Sequence, residues 1–479
     1  MKTVVAFLSS LLLALSLSAQ LQQSIMFEKT WGGLQAERTI LYADELPNGN
    51  FNLIGWRLYN FSNLAERPRF YMCQLDQAGN LVWEKYLGDG ALGYNPGSII
   101  KTQQGNYLII GTSSLVAGSG DICLFHVDQE GNVLFEKYYT AGAHDGGRTV
   151  CETSDSCFML AVGLNNGNNS SPGLIKVDRN GNEIWRNKQD SLPNLWHYFI
   201  RPLPSGEFLV TGVSPASRCY VSKYDANGAL EWIKYPFGVD SLASDPRGLF
   251  SKSNGAFSIP IVRDDRTYWR QFDSAGNFMS ERVYNCALTF SWSTWTNYPS
   301  FDYSDSSYVA TIHRWNQNAA DVFKIDKNQE VHFQTRVTVD SANKYLYYAI
   351  PTNDGGYLAV GSRRVDPDSA SASYAVKFGS DGRYEPKSFS STVTAYPNPS
   401  FNGNVTLSFD MLTNETIHVR ILALDGRLVY MDELFCPANS QTELPVTLNE
   451  GTTAGGIYIL EATTSTATYV QKLVVTRQH

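Results

Sequence analysis

The sequence predicts an all-β chain, in which a seven-bladed β-propeller is followed by a small immunoglobulin-like β-sandwich. A phrase repeats seven times between Phe51 and Arg383, the composition favours strands with 13% aromatic residues and 38 glycines, and the pattern changes after the last repeat. Each repeat contains an apolar run such as GNYLIIG and then a second run that closes on an Asp-x-x-Gly-Asn turn. A fixed period near fifty residues, built from short strands, is typical of propeller blades.

The second repeat shows how one blade is built. Its segments GSIIKTQQGN, YLIIGTSS, DICLFHVDQEGN and VLFEKYYT read as strands A to D with their turns. The apolar run at residues 108–110 in strand B is continuous because a middle strand is covered on both faces, whereas strand D alternates and keeps Glu136 and Lys137 at the outer rim. No helical period competes with this interpretation.

The repeated turn has a local physical cause. An Asp side chain accepts a hydrogen bond from the backbone two residues further on, and Gly adopts the positive φ that a tight hairpin needs. A calcium loop is the alternative, but the segments lack its alternating oxygen ligands and closing Glu, so we predict structural turns and no metal site. The turns lie 47 to 53 residues apart and begin at Asp76, Asp128, Asp178, Asp225, Asp273, Asp326 and Gly379.

The seventh repeat has no outer strand of its own. Pro386 stands where its strand D should begin, while residues 27–32 (FEKTWG) match residues 83–88 (WEKYLG), which form a strand D. Placing the N-terminal segment at the outer edge of blade seven pairs an otherwise open edge. We therefore predict seven blades that are closed by the N-terminal strand.

The chain begins like a secretory signal peptide. Lys2 precedes an apolar stretch from Val4 to Leu17, and the small residues Ser18 and Ala19 follow it. No Cys lies near this cleavage region, so we expect no lipoprotein anchor, and no later stretch reaches the roughly 18 apolar residues of a membrane helix. We expect residues 1–19 to be removed and the remaining chain to be exported without an integral membrane segment.

Charge and cysteine usage exclude some classes of partner. A formal net charge of -8 without a basic block argues against nucleic-acid binding. The seven cysteines are too few and too scattered for a disulfide framework, and no Cys-x-x-Cys spacing suggests a metal ligand pair. Cys151 and Cys157 flank a five-residue turn. The sequence leaves two alternatives for this pair, a disulfide across the turn or two free thiols.

No catalytic motif is present. The sequence lacks His-Glu-x-x-His, Gly-x-Ser-x-Gly and a phosphate-binding Gly loop. The isolated candidates each have a structural interpretation as packed side chains or solvated turns: His126, His144 with Asp145, Asp264 with Asp265, and Asp302 with Asp305. We therefore assign no catalytic residue and no cofactor.

Topology indicates where a ligand would bind. Because the strands alternate in direction, the A–B and C–D turns share one side of the disc, and the longer B–C and D–A connections share the other, which we call the loop face. Exposed Trp, Tyr and Arg around a concave mouth suit stacking against sugars or anchoring of a protein partner, although they also serve to pack loops. The candidate binding residues on the loop face are Trp196, His197, Trp292, Trp295, Tyr298, Arg314 and Trp315.

A second domain follows the repeats. We assign residues 25–385 to the propeller, 386–392 to a linker and 393–479 to a sandwich of six strand-like runs. Its motifs occur in the order Tyr396, Pro397, Asn398, Pro399, Gly403, Asp425, Gly426, Gly456, Tyr458 and Lys472. Together they resemble the C-terminal sorting domain of proteins exported by the type IX secretion system of the Bacteroidota.

This resemblance implies passage through the periplasm, recognition of the tail by the type IX export machinery, and a destination outside the cell or on its surface. The alternative is that the motifs are only sandwich turns, since Pro fixes the backbone and Asp425-Gly426 makes a hairpin. We expect a secreted or cell-surface binding or adhesion protein, whose propeller takes an extracellular glycan or protein. The alternative function is an extracellular hydrolase that acts on polysaccharide or peptide in the propeller mouth.

Overall fold

The structure is a computed structural model, in which the chain divides into two compact units, Met1–Tyr384 and Glu385–His479. The expected signal peptide, residues 1–19, lies outside the part that is described. The residues that the structure describes are 26–31, 38–57, 67–114, 120–140, 145–165, 170–189, 194–238, 244–286, 288, 300–302, 307–314, 319–337, 343–364, 371–382, 392–396, 398, 400–401, 403–411, 414–436, 440–448, 455–465 and 467–476.

The first unit contains seven antiparallel sheets within these ranges, which we number as blades in chain order. The first strand in the described part of the chain is β1 (Phe27–Trp31). Blade one then comprises β2 (Arg38–Glu45), β3 (Phe51–Arg57), β4 (Arg69–Leu75) and β5 (Leu81–Leu87). Blade two comprises β6 (Gly93–Lys101), β7 (Tyr107–Ser114), β8 (Gly120–Val127) and β9 (Val133–Tyr139). Blade three comprises β10 (Gly146–Glu152), β11 (Phe158–Asn165), β12 (Ser170–Val177) and β13 (Glu183–Lys188).

The later blades repeat this order, with one interruption. Blade four comprises β14 (Trp196–Pro202), β15 (Phe208–Val213), β16 (Cys219–Tyr224) and β17 (Leu230–Lys234). In blade five the first strand is split, so the sheet contains β18 (Asp245–Pro246), β19 (Phe250–Ser251), β20 (Phe257–Arg263), β21 (Arg266–Phe272) and β22 (Phe278–Tyr284). Blade six comprises β23 (Ser300–Asp302), β24 (Ser307–Arg314), β25 (Ala319–Ile325) and β26 (Val331–Val337). Blade seven comprises β27 (Asn343–Pro351), β28 (Tyr357–Arg364), β29 (Ala372–Phe378) and β1.

The predicted closure by the N-terminal strand is confirmed. Strand β1 pairs antiparallel with β29, and the register places Phe27 opposite Lys377 and Trp31 opposite Ser373. The outer edge of blade seven is therefore formed by the segment that precedes blade one, which removes an open edge from the last sheet.

Side chains join each outer strand to the next blade. An aromatic ring on the outer strand lies against the Gly of the next Asp-x-x-Gly turn, where a Cβ atom would come within 2.5 to 3.1 Å of the ring. These glycines therefore serve the contact between blades as well as the positive φ of the turn. The pairs are Phe27–Gly79, Trp83–Gly131, Phe135–Gly181, Trp185–Gly228, Trp232–Gly276 and Phe333–Gly382.

The junction of blades five and six departs from this rule in both partners. Ser280 occupies the aromatic position of the outer strand, and Gln329 replaces the turn Gly while keeping a positive φ of 67°. The two guanidinium Nη atoms of Arg282 each lie 2.5 Å from an oxygen of Glu330, so an ion pair joins these blades instead of a ring-on-glycine contact.

The turns have the predicted local geometry. In the first repeat, Oδ1 of Asp76 accepts hydrogen bonds from the backbone N–H groups of Ala78 and Asn80 at 2.9 and 2.8 Å, and Gly79 has a φ of 81°. Oδ2 accepts a further bond from the Asn80 amide at 3.1 Å. The carboxylate is thus satisfied by its own turn, as expected for a structural role.

The first strands of the blades surround the central axis. Strand β10 packs against β6 and β14, and β27 packs against β2 and β24. Near the loop face, five of these strands contain a β-bulge, which inserts one extra residue opposite the second strand. The extra residues are Leu41, Gly97, Arg148, Tyr198 and Tyr347.

The disulfide between Cys151 and Cys157 is not formed. All seven cysteines are free thiols, with Cys151 buried and Cys157 partly exposed. The strand register places Cys151 opposite Met159 rather than Cys157, which lies in the turn before β11 begins. A slip of two residues in register would be needed to bring the two thiols together.

The second unit is a β-sandwich. One sheet contains β30 (Thr392–Tyr396), β32 (Asn404–Met411) and β35 (Ser440–Thr447). The other contains, in spatial order, β31 (Ser400–Phe401), β37 (Thr468–Thr476), β36 (Gly456–Thr463), β33 (Glu415–Ala423) and β34 (Leu428–Cys436). The short pair β31 and β37 is parallel, whereas the other described strand pairs of the sandwich are antiparallel.

Alternating residues of the sandwich strands supply its core. Ile417, Val419 and Ile421 on β33 are fully buried, whereas the residues between them are exposed. This period of two is the one expected for a strand with one face on a core. In the part of the chain that is described, no helix is long and apolar enough to cross a membrane.

Candidate functional site

Five residues of blades three to five form one cluster at the loop-face ends of the innermost strands, which we call the mouth cluster. Two of them, Arg148 and Tyr198, are bulge residues of β10 and β14. Trp196 begins β14, Asp245 begins β18, and Arg247 lies between β18 and β19. The neighbouring connections of blades four and five are short, at residues 214–218 and 264–265.

Trp196 presents an exposed ring in this cluster. Half of its surface (50%) is accessible, and the guanidinium carbon of Arg148 lies 5.7 Å from the ring centroid. A cation over an indole face is attracted by the ring quadrupole. The inner strand therefore offers an aromatic surface with a positive charge beside it.

Arg148 is enclosed by protein but has no acidic neighbour among the residues that the structure describes. Burial lowers the pKa of its guanidinium from the ordinary value, and Tyr198 opposes this effect. Among the described residues, Arg148 contacts the Trp196 ring but forms no side-chain hydrogen bond or ion pair. Its charge therefore remains uncompensated within the cluster.

The acid of the cluster is already engaged. Oδ2 of Asp245 lies 2.8 Å from Nη2 of Arg247. Burial raises the pKa of Asp245, and Arg247 opposes this effect. Burial also raises the pKa of Tyr198, assisted by Asp245 and opposed by the two arginines. The cluster thus holds two cations and one anion.

His197, the neighbour of Trp196, points the other way. It is 1% exposed, its Nδ1 lies 2.6 Å from the Tyr220 hydroxyl, and its ring packs near Tyr220 and Tyr224. Burial and the nearby charge of Arg148 lower the pKa of His197 to about 3, so the ring is neutral at physiological pH. The structure therefore places His197 in the packing between strands.

The other predicted binding residues are not brought into this cluster by the described structure. Arg314 is the last residue of β24, where it is opposite Ala319. Trp292, Trp295, Tyr298 and Trp315 lie outside the described residues.

The isolated catalytic candidates take structural positions where they are described. His126 is buried against Phe135 and Phe158, and burial lowers its pKa. Asp264 and Asp265 both have positive φ, of 50° and 57°, and form the exposed two-residue turn between β20 and β21. Asp145 is buried and Asp302 ends β23, while His144 and Asp305 lie outside the described residues. No group of three His, Cys, Asp or Glu in the described ranges could hold a metal ion.

Sequence reasoning missed Arg148, Tyr198, Asp245 and Arg247. The binding residues were predicted in the long connections between strands, whereas these four residues lie on or between the inner strands. Alignment of the first strands at the bulge would have shown Arg148 as the charged residue at a position that Leu41, Gly97, Tyr198 and Tyr347 occupy in other blades.

The motifs of the second unit meet through hydrogen bonds. The Asn398 amide donates to the Lys472 carbonyl at 2.7 Å and accepts from the Val474 N–H at 2.9 Å, so the first motif contacts the last strand. Gly426 has a φ of 83° in the turn between β33 and β34, where Oδ1 of Asp425 accepts from the Arg427 N–H at 3.0 Å.

The remaining motif residues also have structural positions. Gly403 has a φ of 77° just before β32. The hydroxyl of Tyr396 donates to Glu443 at 2.5 Å. Gly456 begins β36, in which Tyr458 is 4% exposed. Pro397 and Pro399 lie outside the described residues.

The pattern of this tail is that of a known family. Residues 394–476 match the family described as "Secretion system C-terminal sorting domain". The tail is a type IX sorting domain. The sequence-based prediction is confirmed, and the sorting domain directs the protein to the cell surface or the extracellular space through the type IX export machinery. None of the curated proteins matches the chain.

Solved structures with similar folds are distant from the chain. A protein of unknown function from Dyadobacter fermentans is 9% identical, with 73% of this chain and 97% of that chain covered and a TM-score of 0.44. A protein from Lactobacillus plantarum is 11% identical, with 85% and 99% covered and a TM-score of 0.38. A puromycin hydrolase is 10% identical, with 78% of this chain but only 59% of the hydrolase covered and a TM-score of 0.44. These likenesses carry no argument about activity.

Proposed function

We propose that the propeller is the ligand-binding module of a secreted or cell-surface protein, and that it takes an extracellular glycan or protein at the mouth cluster. The sorting domain accounts for delivery, and the propeller provides the surface that is delivered. The role of the signal peptide at residues 1–19, entry into the periplasm, belongs to the same proposal.

The exposure of Trp196 carries this proposal. Among the described propeller residues, every other strongly exposed large hydrophobic side chain lies on an outer strand, namely Leu81, Val82, Val133, Leu134, Tyr138, Ile184, Phe278, Met279, Val283 and Val331. Trp196 alone in that set is on an inner strand, where the Arg148 guanidinium lies 5.7 Å from its ring centroid. A large ring that is accessible beside polar groups is the usual composition of a binding hot spot.

The hydrolase alternative requires different chemistry at the same place. Glycoside hydrolysis uses two carboxylates on opposite sides of the reacting bond. In the described mouth cluster Asp245 is the single carboxylate, and its Oδ2 is paired with Arg247. No observation of these residues favours catalysis over binding.

An array experiment tests the proposal. Labelled full-length mature protein is applied to a glycan array and a protein array, beside the variants Trp196→Ala and Phe278→Ala. Phe278 is a matched control, because it is 54% exposed on the outer strand β22. We expect Trp196→Ala to weaken binding to the captured ligand by about 5- to 100-fold, with unchanged thermal unfolding, and Phe278→Ala to leave binding intact.

Two results would contradict the proposed binding function. If Trp196→Ala lowers the unfolding temperature and leaves binding unchanged, the ring is loop packing. Absence of any ligand on both arrays would also contradict a binding module.

A further inference from the structure

Arg148 differs from three other arginines of the propeller, each of which has an acidic partner. Arg38 pairs with Glu84, Arg270 with Glu281, and Arg336 with Asp321, at 2.9 Å in each case. Arg148 has no such partner among the described residues, although protein surrounds it. Partly buried charges in proteins are normally paired, because removal from water is costly without an opposite charge.

The contacts that Arg148 does have do not offset this cost. The cation–π contact with Trp196, at 5.7 Å, is weaker than an ion pair in a partly buried site. Tyr198 is a neutral neighbour at physiological pH, since burial raises the pKa of its hydroxyl.

The one carboxylate of the mouth cluster does not compensate Arg148. Asp245 is held 2.8 Å from Arg247, so these two charges cancel within the mouth cluster. One positive charge remains, on a guanidinium whose planar fork of donors matches a carboxylate. The complement of the cluster is therefore an anionic group.

The ring of Trp196 specifies what carries this anion. It is half exposed and lies directly beside the guanidinium, so one ligand unit can present an apolar face to the ring and an acidic group to the fork. A sugar ring with a carboxylate attached has both features on one rigid body. An acidic peptide would have to order a flexible side chain to reach the same two contacts.

We propose that Arg148 binds the carboxylate of an acidic sugar whose ring lies against Trp196. This inference rests on the proposed function, because it assigns the ligand class of the same site. It makes Arg148 a specificity-determining residue and Trp196 the platform for the sugar.

Acidic sugars and their neutral forms test whether Arg148 binds a sugar carboxylate. Trisaccharides of galacturonate, glucuronate and mannuronate, each beside its carboxyl-reduced neutral form, and the peptide triglutamate are titrated into full-length mature protein by calorimetry at low salt. We expect at least one uronate to bind at least tenfold more tightly than its neutral form and more tightly than triglutamate. In Arg148→Gln this preference should disappear, and the acid should bind like the neutral sugar.

A control variant separates local from general electrostatics. Arg266 is exposed on the loop face at the turn of blade five, so Arg266→Gln makes the same change in net charge and should keep the preference. Because Arg148 has no acidic partner in the described part of the chain, Arg148→Gln should also leave thermal unfolding unchanged or raise its midpoint. A purely structural Arg148 would lower it.

The inference is overturned if no acid–neutral pair differs, if the preference survives Arg148→Gln, or if triglutamate binds most tightly. Failure of every sugar to bind would overturn it as well. Equal binding of acidic and neutral sugars that both require Trp196 would leave the proposed function in place and remove only the role of Arg148.

Discussion

The ring of Phe27 lies against Gly79, so that strand β1, the outer strand of blade seven, contacts the turn of blade one. Lys29 extends this contact by donating from Nζ to Oδ1 of Asn80 at 3.1 Å. The same pair of contacts joins blades one and two, where Trp83 lies against Gly131 and Lys85 donates to Asn132 at 3.0 Å. Closure of the ring thus uses the ordinary junction between blades.

Phe27→Ala should destabilise the propeller. Phe27 is 4% exposed, and loss of a buried Phe side chain costs about 3 kcal/mol or more. We expect a lower midpoint in urea unfolding, followed by circular dichroism. Leu81→Ala is the control, because Leu81 is 44% exposed on an outer strand and its loss should change the midpoint little. Equal midpoints for wild type and Phe27→Ala would show that the closure does not contribute to stability.

Gly131→Ala should also lower stability, for a different reason. Gly131 has a φ of 77°, and a Cβ there would lie 3.1 Å from atoms of both Trp83 and Lys85. A left-handed conformation alone costs a non-glycine residue about 1 to 2 kcal/mol. Gly90→Ala is the matched control, since its Cβ would meet Arg69 at 3.8 Å. An unfolding free energy that is the same for both variants would contradict the dual role of the turn glycine.

His197 should make stability depend on acid. Its pKa in the folded protein is about 3, below the unfolded value near 6.5, so its contribution is complete above that value and is lost as the pH falls. Between pH 7 and pH 5 the loss amounts to about 2 kcal/mol. Comparison of urea unfolding at these two pH values should show a smaller decrease for His197→Phe than for wild type. An identical decrease would mean that His197 is protonated in the folded protein.

Deletion of residues 393–479 should separate folding from delivery. The propeller and the sorting domain have their own hydrophobic cores, so the truncated chain should remain folded. Without the sorting domain it should accumulate in the periplasm, which cell fractionation and limited proteolysis would detect. If the truncated protein reached the outside of the cell in normal amounts, the sorting domain would not be required for export.

Local and repeated features were predictable from sequence. The turn at Asp76 depends on hydrogen bonds within five residues, which any chain with these residues can form. The position of the N-terminal strand was predictable because Phe27 and Lys29 correspond to Trp83 and Lys85 of blade one. Both pairs contact the turn of the next blade. Repetition allowed a contact between distant residues to be inferred from a match between short segments.

The mouth cluster was predicted only through Trp196. The sequence predicted its neighbour His197 as a binding residue too, yet His197 is buried. Successive side chains of a strand point to opposite faces, and the bulge at Tyr198 shifts this alternation further along β14. The sequence also left open whether Cys151 and Cys157 form a disulfide, and the strand register decides it, since Cys151 lies opposite Met159 and both thiols are free.

The sequence by itself determined the number of blades, the strand that closes the propeller, the sandwich and the export of the protein through its sorting domain. These features follow from periodicity, turn chemistry and ordered motifs within short segments. Only the tertiary structure decided that Arg148 has no acidic partner within the described ranges while Asp245 pairs with Arg247. Residues from three blades meet in this cluster, and their distances depend on bulges and on the packing of inner strands. Charge compensation across such distances is a property of the folded ring, not of any one repeat.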